Sequence, residues 1–391
     1  MDKIGIFGGS FNPPHAGHIQ AAEYAVSALG LSRLLLIPAL QPPHKISAPG
    51  YPTPDQRLEM LRIAAAACPR TEVSDLEYRR EGSSYCCDTV SRLRTMYPGA
   101  ELILLLGTDM FLRFPEWKNA DEIVRNASLA VFRRGGKNEK AAIEAQRAEM
   151  EARGIRVTVL DNPVCAISST QLRRLLAFGC WQEFLPAGVA DYIRERGLYD
   201  FGADWKNLPM EQLEQVVTRL LNPNRVAHVL GCRDTAVELA KCWGADEKDA
   251  ARAGILHDIT KALDGPLQLT FCRGYGKILD NFSQKYPKTL HALTGSLVAD
   301  RIFGENEAVV SAIRCHTTGK ADMNLLETIL YVADYMEPHR EFPGVEHLRE
   351  LAFSDIRAAL KLGLEMTLEH LKRQGNEVSP ESREALAFLN R

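Results

Sequence analysis

Apolar and polar positions follow two different rhythms along this chain. In the first 200 residues, short apolar runs recur at 4–7, 34–37, 102–106, 129–132 and 157–160, each the length of a buried strand. Between them lie stretches with helical spacing of apolar residues, at 19–29, 55–67 and 85–96. Strands alternating with helices predict a parallel sheet covered on both faces. The block closes with Leu185-Pro186 and a short helix ending at Gly197-Leu198-Tyr199. Beyond it the strand signal fades. Helical patterns fill 210–221, 225–243, 247–263, 290–302, 308–315, 325–336 and 355–372, which predicts an all-helical second domain. We place the domains at 1–200 and 209–391, joined by a polar linker at 201–208 that ends before Pro209.

Length agrees with this division, since 391 residues exceed an ordinary single core. A hydrophobic share of 46% and a charged share of 25% predict a globular protein. The net charge of -3 gives no electrostatic reason to expect a nucleic-acid partner or binding to an anionic membrane. Any phosphate must therefore be held by a local site. Nine cysteines without a CxxC pair suggest neither a disulfide framework nor a zinc ribbon; reduced thiols and a cytoplasmic location are expected. No window reaches the length of a membrane span, and the first residues do not read as a secretory leader.

The ten histidines divide as the rhythm does. His15, His18 and His44 lie within the first 45 residues, and the other seven begin at His228. The first group belongs to Gly8-Gly9-Ser10-Phe11-Asn12-Pro13-Pro14-His15-Ala16-Gly17-His18, which follows the first apolar run. Two glycines let a backbone approach a ligand closely, and a helix start offers free N–H groups to phosphate. His15 and His18 are expected to share one face of the first helical turn and to donate to a triphosphate. The string resembles the signature of the nucleotidylyltransferase superfamily, in which HxGH binds the ATP phosphates.

Further segments narrow the resemblance. They are Pro42-Pro43-His44-Lys45, the stretch from Glu77 through Arg80 and Ser84-Tyr85 to Asp88-Thr89, Gly107-Thr108-Asp109 with Trp117, and Ile167-Ser168-Ser169-Thr170-Gln171-Leu172-Arg173. With the closing 185–199 segment they are similar to nicotinate-nucleotide adenylyltransferase over residues 1–200. The resemblance implies an α/β Rossmann-like nucleotidyltransferase domain. It also implies in-line attack by nicotinate mononucleotide on the α-phosphorus of ATP, giving deamido-NAD and pyrophosphate. His15, His18, Lys45 and Arg173 would act on the phosphates. Gly8, Gly9, Ser10, Phe11, His44, Thr108, Asp109, Ile167, Ser168 and Thr170 would line the nucleotide. Trp117 would stack on the pyridine ring, and the backbone near Tyr85 and Cys86 would meet its carboxylate. Mg2+ would arrive with ATP, held by its phosphates and water rather than by protein ligands. Three positions depart from the family pattern: Asn12 for a frequent aspartate, Cys86 for threonine, and Arg134 for a proline before glycine.

The second group of histidines includes the adjacent pair His257-Asp258, after an apolar helical stretch. A charged pair on a buried face needs compensation, and a metal supplies it. Imidazole and carboxylate ligands suit iron or another divalent transition metal. The order His228, His257-Asp258, Asp334 resembles the HD phosphohydrolase superfamily. Arg225, Lys261, His316-Thr317-Thr318-Gly319 and Tyr331-Val332-Ala333-Asp334-Tyr335 with Glu337-Pro338 and Arg340 look like its YqeK-type branch. That branch cleaves diadenosine tetraphosphate symmetrically to two ADP. The resemblance implies an all-α HD domain with His228, His257, Asp258, His291, His316 and Asp334 as metal ligands, for one ion or two. Asp258 and Lys261 would be catalytic, and Arg225, His291 and Thr317 would hold phosphate. His339, His347 and His370 read as structural or surface residues.

Alternatives remain at this point. The acceptor of the first reaction would be pantetheine phosphate or nicotinamide mononucleotide in other branches of the superfamily, although residues 84–88 and Trp117 disfavour the former. The helical half would otherwise be a nucleotide-binding module without catalysis. A homo-oligomer is compatible with the sequence.

Overall fold

In the computed structural model, residues 2–40, 51–79, 85–136 and 138–391 are described. The chain divides into two compact units, Met1–Ala203 and Asp204–Arg391.

The first unit is an α/β layer structure. Its elements run β1 (Lys3–Gly9), α1 (Ala16–Ala28), β2 (Arg33–Pro38), α2 (Pro54–Ala65), β3 (Thr71–Val73), α3 (Cys86–Met96), β4 (Glu101–Gly107), α4 (Thr108–Leu112), α5 (Ala120–Asn126), β5 (Ser128–Phe132), α6 (Glu139–Ala152), β6 (Val157–Leu160), α7 (Ser169–Ala177) and α8 (Ala187–Glu195). The six strands lie in the order β3-β2-β1-β4-β5-β6, all parallel. Successive side chains go to opposite faces, and both faces are dry. Ile4, Ile6, Leu35, Ile37, Leu102, Leu104, Leu129 and Val131 pack with α3, α5 and α6. Phe7, Leu34, Leu36, Ile103, Leu105, Ala130 and Phe132 pack on the other side with the alanine-rich face of α1. This two-sided burial is why the strands read as continuous apolar runs. Strand order reverses between β1 and β4, so their C-terminal ends flank the crevice where such sheets bind ligands.

The second unit is helical: α9 (Met210–Leu220), α10 (Pro223–Trp243), α11 (Glu247–Leu256), α12 (Gly265–Gly274), α13 (Asn281–Lys285), α14 (His291–Val298), α15 (Glu307–Cys315), α16 (Leu325–Met336), α17 (Val345–Ser354), α18 (Ile356–Arg373) and α19 (Pro380–Leu389). Helix α16 is buried on nearly every side, consistent with its apolar sequence Leu-Leu-Glu-Thr-Ile-Leu-Tyr-Val-Ala-Asp-Tyr-Met. Among the described residues no helix is long and apolar enough to cross a membrane.

Several expectations need correction. The helix expected over 247–263 ends at Leu256, so His257 and Asp258 stand just past its end. The one expected over 290–302 is a 3-10 turn, then α14, then a π-turn at Ala299–Phe303. Residues of the expected linker also make aromatic contacts. Phe201 packs edge-on against Trp181 at 5.4 Å, and Trp205 stacks on Phe303 at 5.7 Å. The short strand β3 and helix α6 were not anticipated.

Candidate functional sites

The first site forms at the crevice between β1 and β4. After β1 the chain turns through Phe11, whose φ of 43° is left-handed. The Phe11 ring is buried against Phe7 and His18, so any contact it makes with a ligand falls to its backbone. Among the described residues nothing lies within 4 Å of where a Gly8 side chain would begin, which leaves that main chain open to approach from them.

His15 and His18 come together, but not as expected. His15 is the extended residue before α1 (φ -142°, ψ 169°) and is not on the helix. Their rings stack with centroids 3.6 Å apart, and the His15 N–H donates to Nδ1 of His18 at 3.2 Å. His15 is 2% exposed, and among the described residues neither ring nitrogen has a partner. Burial, with the Arg134 charge adding to it, pushes its pKa down to about 3. The ring is therefore neutral at working pH.

Other expected residues converge on this loop. Ser168 caps α7 through its Oγ and the N–H of Gln171, and Ser169 Oγ donates to the Pro13 carbonyl at 2.9 Å. Arg173 donates to the Asn12 carbonyl at 2.6 Å and to Thr170 Oγ1 at 3.1 Å. The α7 N-terminus thus abuts the Gly8–His18 turn. Asn12 Oδ1 also accepts a short hydrogen bond from the Tyr199 hydroxyl. Thr108 donates to Glu139, and Asp109 pairs with Arg134 at 3.1 Å. Tyr85, Cys86 and Trp117 pack against one shared core cluster. Trp117 also walls a polar cleft of about 540 Å³ with Phe114, Asn119, Arg125 and Arg153; none of residues 8–18 lines it. His44 and Lys45 lie outside the described residues.

Sequence reasoning missed three groups here. Arg57, buried in α2, donates to the carbonyls of Ser10 and Leu40 at 2.9 Å each, tying together the loops after β1 and β2. Arg134 had drawn notice only as a departure in loop sequence. Lys118 places Nζ 4.1 Å from the Tyr85 ring centre.

The second site lies where several helices of the second unit end. His228 projects from α10, His257 and Asp258 follow α11, His291 opens α14, His316 follows α15, and Asp334 lies in the last turn of α16. All but Asp334 and His228 are 3% exposed or less. Every imidazole hands Nδ1 to an acceptor. His257 meets the Gly254 carbonyl at 2.7 Å, His291 that of Lys288 at 2.7 Å, His316 that of Ile313 at 2.6 Å, and His228 meets Glu337 Oε1 at 3.0 Å. Each Nε2 is left facing the same centre.

There the nitrogens approach one another: His228 to His257 at 3.3 Å, and His291 to His316 at 3.2 Å. Burial lowers the pKa of His257 and His291 well below the ordinary histidine value, and that of His316 to about 4. Neutral rings with Nδ1 protonated direct lone pairs at each other, which is unfavourable without a cation between them. Asp334 Oδ1 lies 3.2 Å from His228 Nε2 and 3.7 Å from His257 Nε2. Burial alone would raise the Asp334 pKa; the His228 hydrogen bond and the neighbouring His257 and Arg340 outweigh it and hold it well below the carboxylate range. Asp258 Oδ1 is buried with no hydrogen-bond partner among the described residues. His228, His257 and Asp334, and again His257, Asp258 and His316, bring their ligand atoms within 4.8 Å of one another. An orphaned carboxylate oxygen and opposed lone pairs fit a divalent ion.

Cations surround the acidic side. Arg225 pairs with Asp258, and Arg340 reaches Asp334 Oδ1 at 2.7 Å. Lys261 Nζ is 2.8 Å from His291 Nε2 and 3.7 Å from Asp258 Oδ1, and burial lowers its pKa to about 8. Thr317 Oγ1 lies 3.0 Å from His291 Nε2. The expected set is thus assembled, with His291 on the Lys261 and Thr317 side. Glu337 was not among the expected site residues. Its burial favours the neutral acid, yet hydrogen bonds from His339 and His228 hold its pKa down.

A cytidylyltransferase-like family model matches residues 6–175, and an HD-domain model matches residues 225–339. A Gloeobacter violaceus protein named probable nicotinate-nucleotide adenylyltransferase is 39% identical over 204 residues, spanning 52% of this chain and 98% of its own length. A Mycoplasma pneumoniae protein named probable nicotinate-nucleotide adenylyltransferase/Ap4A hydrolase is 29% identical over 377 residues, spanning 94% of this chain and 98% of its own. Among solved structures, an HD superfamily hydrolase from Clostridium acetobutylicum, described as involved in NAD metabolism, is 35% identical and covers 47% of this chain and 97% of its own, with a TM-score of 0.46.

Proposed function

We propose a bifunctional enzyme, on the premise that the chain belongs to the nicotinate-nucleotide adenylyltransferase family. The unit Met1–Ala203 transfers AMP from ATP to nicotinate mononucleotide, giving deamido-NAD and pyrophosphate. The unit Asp204–Arg391 hydrolyses diadenosine tetraphosphate to two ADP. Both parts of the Mycoplasma relative's name, and its span of 94% of this chain, support this pairing.

One observation carries the first activity: a buried His15, without a ring partner among the described residues, stacked on His18 beside a Gly8 main chain that those residues leave open, at the sheet's switch point. The acceptor phosphate attacks the α-phosphorus of ATP as the bond to pyrophosphate breaks. The main chain at Gly8, Gly9, Ser10 and Phe11 receives the triphosphate. His15 and His18 donate to it as charge moves onto the leaving group. The α7 N-terminus, with Ser168, Thr170 and Arg173, takes the outer phosphates, and Lys45 is assigned to them as well. Positioning supplies most of the rate in such a transfer, and Mg2+ is expected to arrive with ATP. Thr108, Asp109, Ile167 and His44 complete the nucleotide site. Trp117 and the Tyr85–Cys86 backbone receive the nicotinate ring, and the nearby Lys118 ammonium suits its carboxylate better than an amide.

The second activity is carried by the convergence of histidine Nε2 atoms around buried carboxylates. His228, His257, Asp258 and Asp334 would hold a divalent transition metal such as iron, with His316 and His291 completing the shell or a second position. When bound, such an ion supplies Lewis acidity and a water of lowered pKa. Arg225, Lys261, His291 and Thr317 orient the polyphosphate chain, and Asp258 fixes the geometry of attack.

The test is a panel. Nicotinate mononucleotide should exceed nicotinamide mononucleotide and phosphopantetheine as acceptor, and diadenosine tetraphosphate should yield ADP alone. A better acceptor than the nicotinate nucleotide, or ATP and AMP as the cleavage products, would overturn the corresponding half.

A further inference from the structure

The four imidazoles of the second site fix their orientation in two ways. His257, His291 and His316 each stand where a helical turn ends, and each meets the carbonyl three residues back. Carbonyls at a helix end have no amide of their own helix to accept from, so they are free for a side chain. His228 has no such acceptor. It lies inside α10, where the carbonyls of the preceding turn are taken by main-chain amides. Its Nδ1 meets instead Glu337 Oε1, 109 residues away in sequence.

That carboxylate is built into place. It is 1% exposed, and its other oxygen accepts from the His339 N–H at 2.8 Å and from His339 Nδ1 at 2.9 Å. Gly231, one turn beyond His228 on α10, makes room for it. A Cβ at position 231 would lie 2.6 Å from Glu337 Oε2 and 3.2 Å from His339 Nδ1. Contacts on both oxygens and a notch in α10 leave the carboxylate one position, against His228.

We propose that Glu337 is the positioning residue for His228: it accepts a hydrogen bond from Nδ1–H, fixes the tautomer that points the Nε2 lone pair at Asp334 and His257, and strengthens that nitrogen as a donor to a divalent cation. The proposal rests on reading that centre as a metal site. Glu337 itself binds neither substrate nor ion. A turn that merely ties the end of α16 to α10 would need neither the charge nor the tautomer.

Two measurements on the full chain test this. The first records nitrogen-15 spectra of the histidine-labelled, metal-free protein, with His228→Gln used only for assignment. His228 should be protonated at Nδ1; protonation at Nε2 overturns the proposal, whatever any variant does. The second titrates cobalt(II) against a chelator in wild type and Glu337→Gln. The variant should keep the melting temperature of the metal-free wild type within a few degrees while its cobalt affinity falls by roughly 10–100-fold. Equal affinities overturn the proposal and leave the metal site standing. A wild type that binds no cobalt removes the metal site and the proposal with it.

Discussion

The two units gather phosphate- and metal-binding groups by opposite means. In the first, the main chain does most of the gathering: a turn at the end of β1, the capped start of α7, and the crevice where strand order reverses. In the second, side chains do it, reaching inward from helix ends and, for His228, from inside α10, positions far apart in sequence. A main-chain site depends on local conformation and is written as a contiguous string. A side-chain site depends on tertiary packing and is written as isolated residues. The comparison predicts that perturbations of the first unit's backbone or loop disturb transfer alone, and that hydrolysis fails only when an inward-facing group is lost.

Within the first unit the largest effect should come from His18→Ala. Losing one preorganised donor to the developing charge should lower adenylyl transfer by roughly 100–1,000-fold. Cleavage of diadenosine tetraphosphate by the same preparation should not change. Loss of both activities would contradict two independent sites.

Next is Gly5→Ala. A Cβ there would lie 2.6 Å from Leu31 Cδ1 and 2.7 Å from Leu34 Cδ1, in a sheet buried on both faces. Overpacking of this kind costs about 1–3 kcal/mol. Heat should inactivate transfer at a lower temperature than in wild type, with the inactivation of hydrolysis unmoved.

Acid sharpens the contrast further. Burial holds the His15 pKa at about 3 in the folded chain, against an ordinary histidine value of 6.5. Below pH 6.5 the unfolded chain takes up a proton that the folded chain refuses. Stability from this group is therefore whole above 6.5 and falls with pH down to about 3, by about 1.4 kcal/mol per pH unit. Denaturant unfolding of His15→Asn should show a smaller loss of first-unit stability between pH 7 and pH 5 than wild type, by about 2 kcal/mol. Equal losses would mean that His15 is not held neutral.

Lys118→Ala should have the smallest effect. The side chain is exposed, so removing its charge should cost at most about 1 kcal/mol in the preference for nicotinate over nicotinamide mononucleotide, read from the ratio of kcat/KM values. An unchanged ratio would leave selection to the main chain near Tyr85.

The sequence was legible where local chemistry decided the structure. Residues 4–7 and 102–106 read as strands because both faces of the sheet are dry. Strand β3 was missed because three residues, none of them buried, carry no period. Helix α6 was missed because only Ile143 and Met150 give it an apolar side, while Glu139 is buried by bonds to Thr108 and to the Arg134 and Gly135 amides. His15 was placed on α1 because the HxGH spacing fits a helical turn, whereas Gly17 sits only 3.2 Å, at its would-be Cβ, from His15 Nδ1 and admits the folded-back ring. Glu337 stood in plain view beside Pro338, but its meaning depends on His228 lying inside a helix, a fact that only packing reveals.

The central claim is that one chain carries two separate sites, the second built on the buried Asp258. Asp258→Ala in the full-length protein tests it most directly, with pyrophosphate release from ATP and nicotinate mononucleotide and ADP release from diadenosine tetraphosphate measured side by side. The account predicts transfer at the wild-type rate and hydrolysis reduced to background. Hydrolysis at the wild-type rate would contradict it.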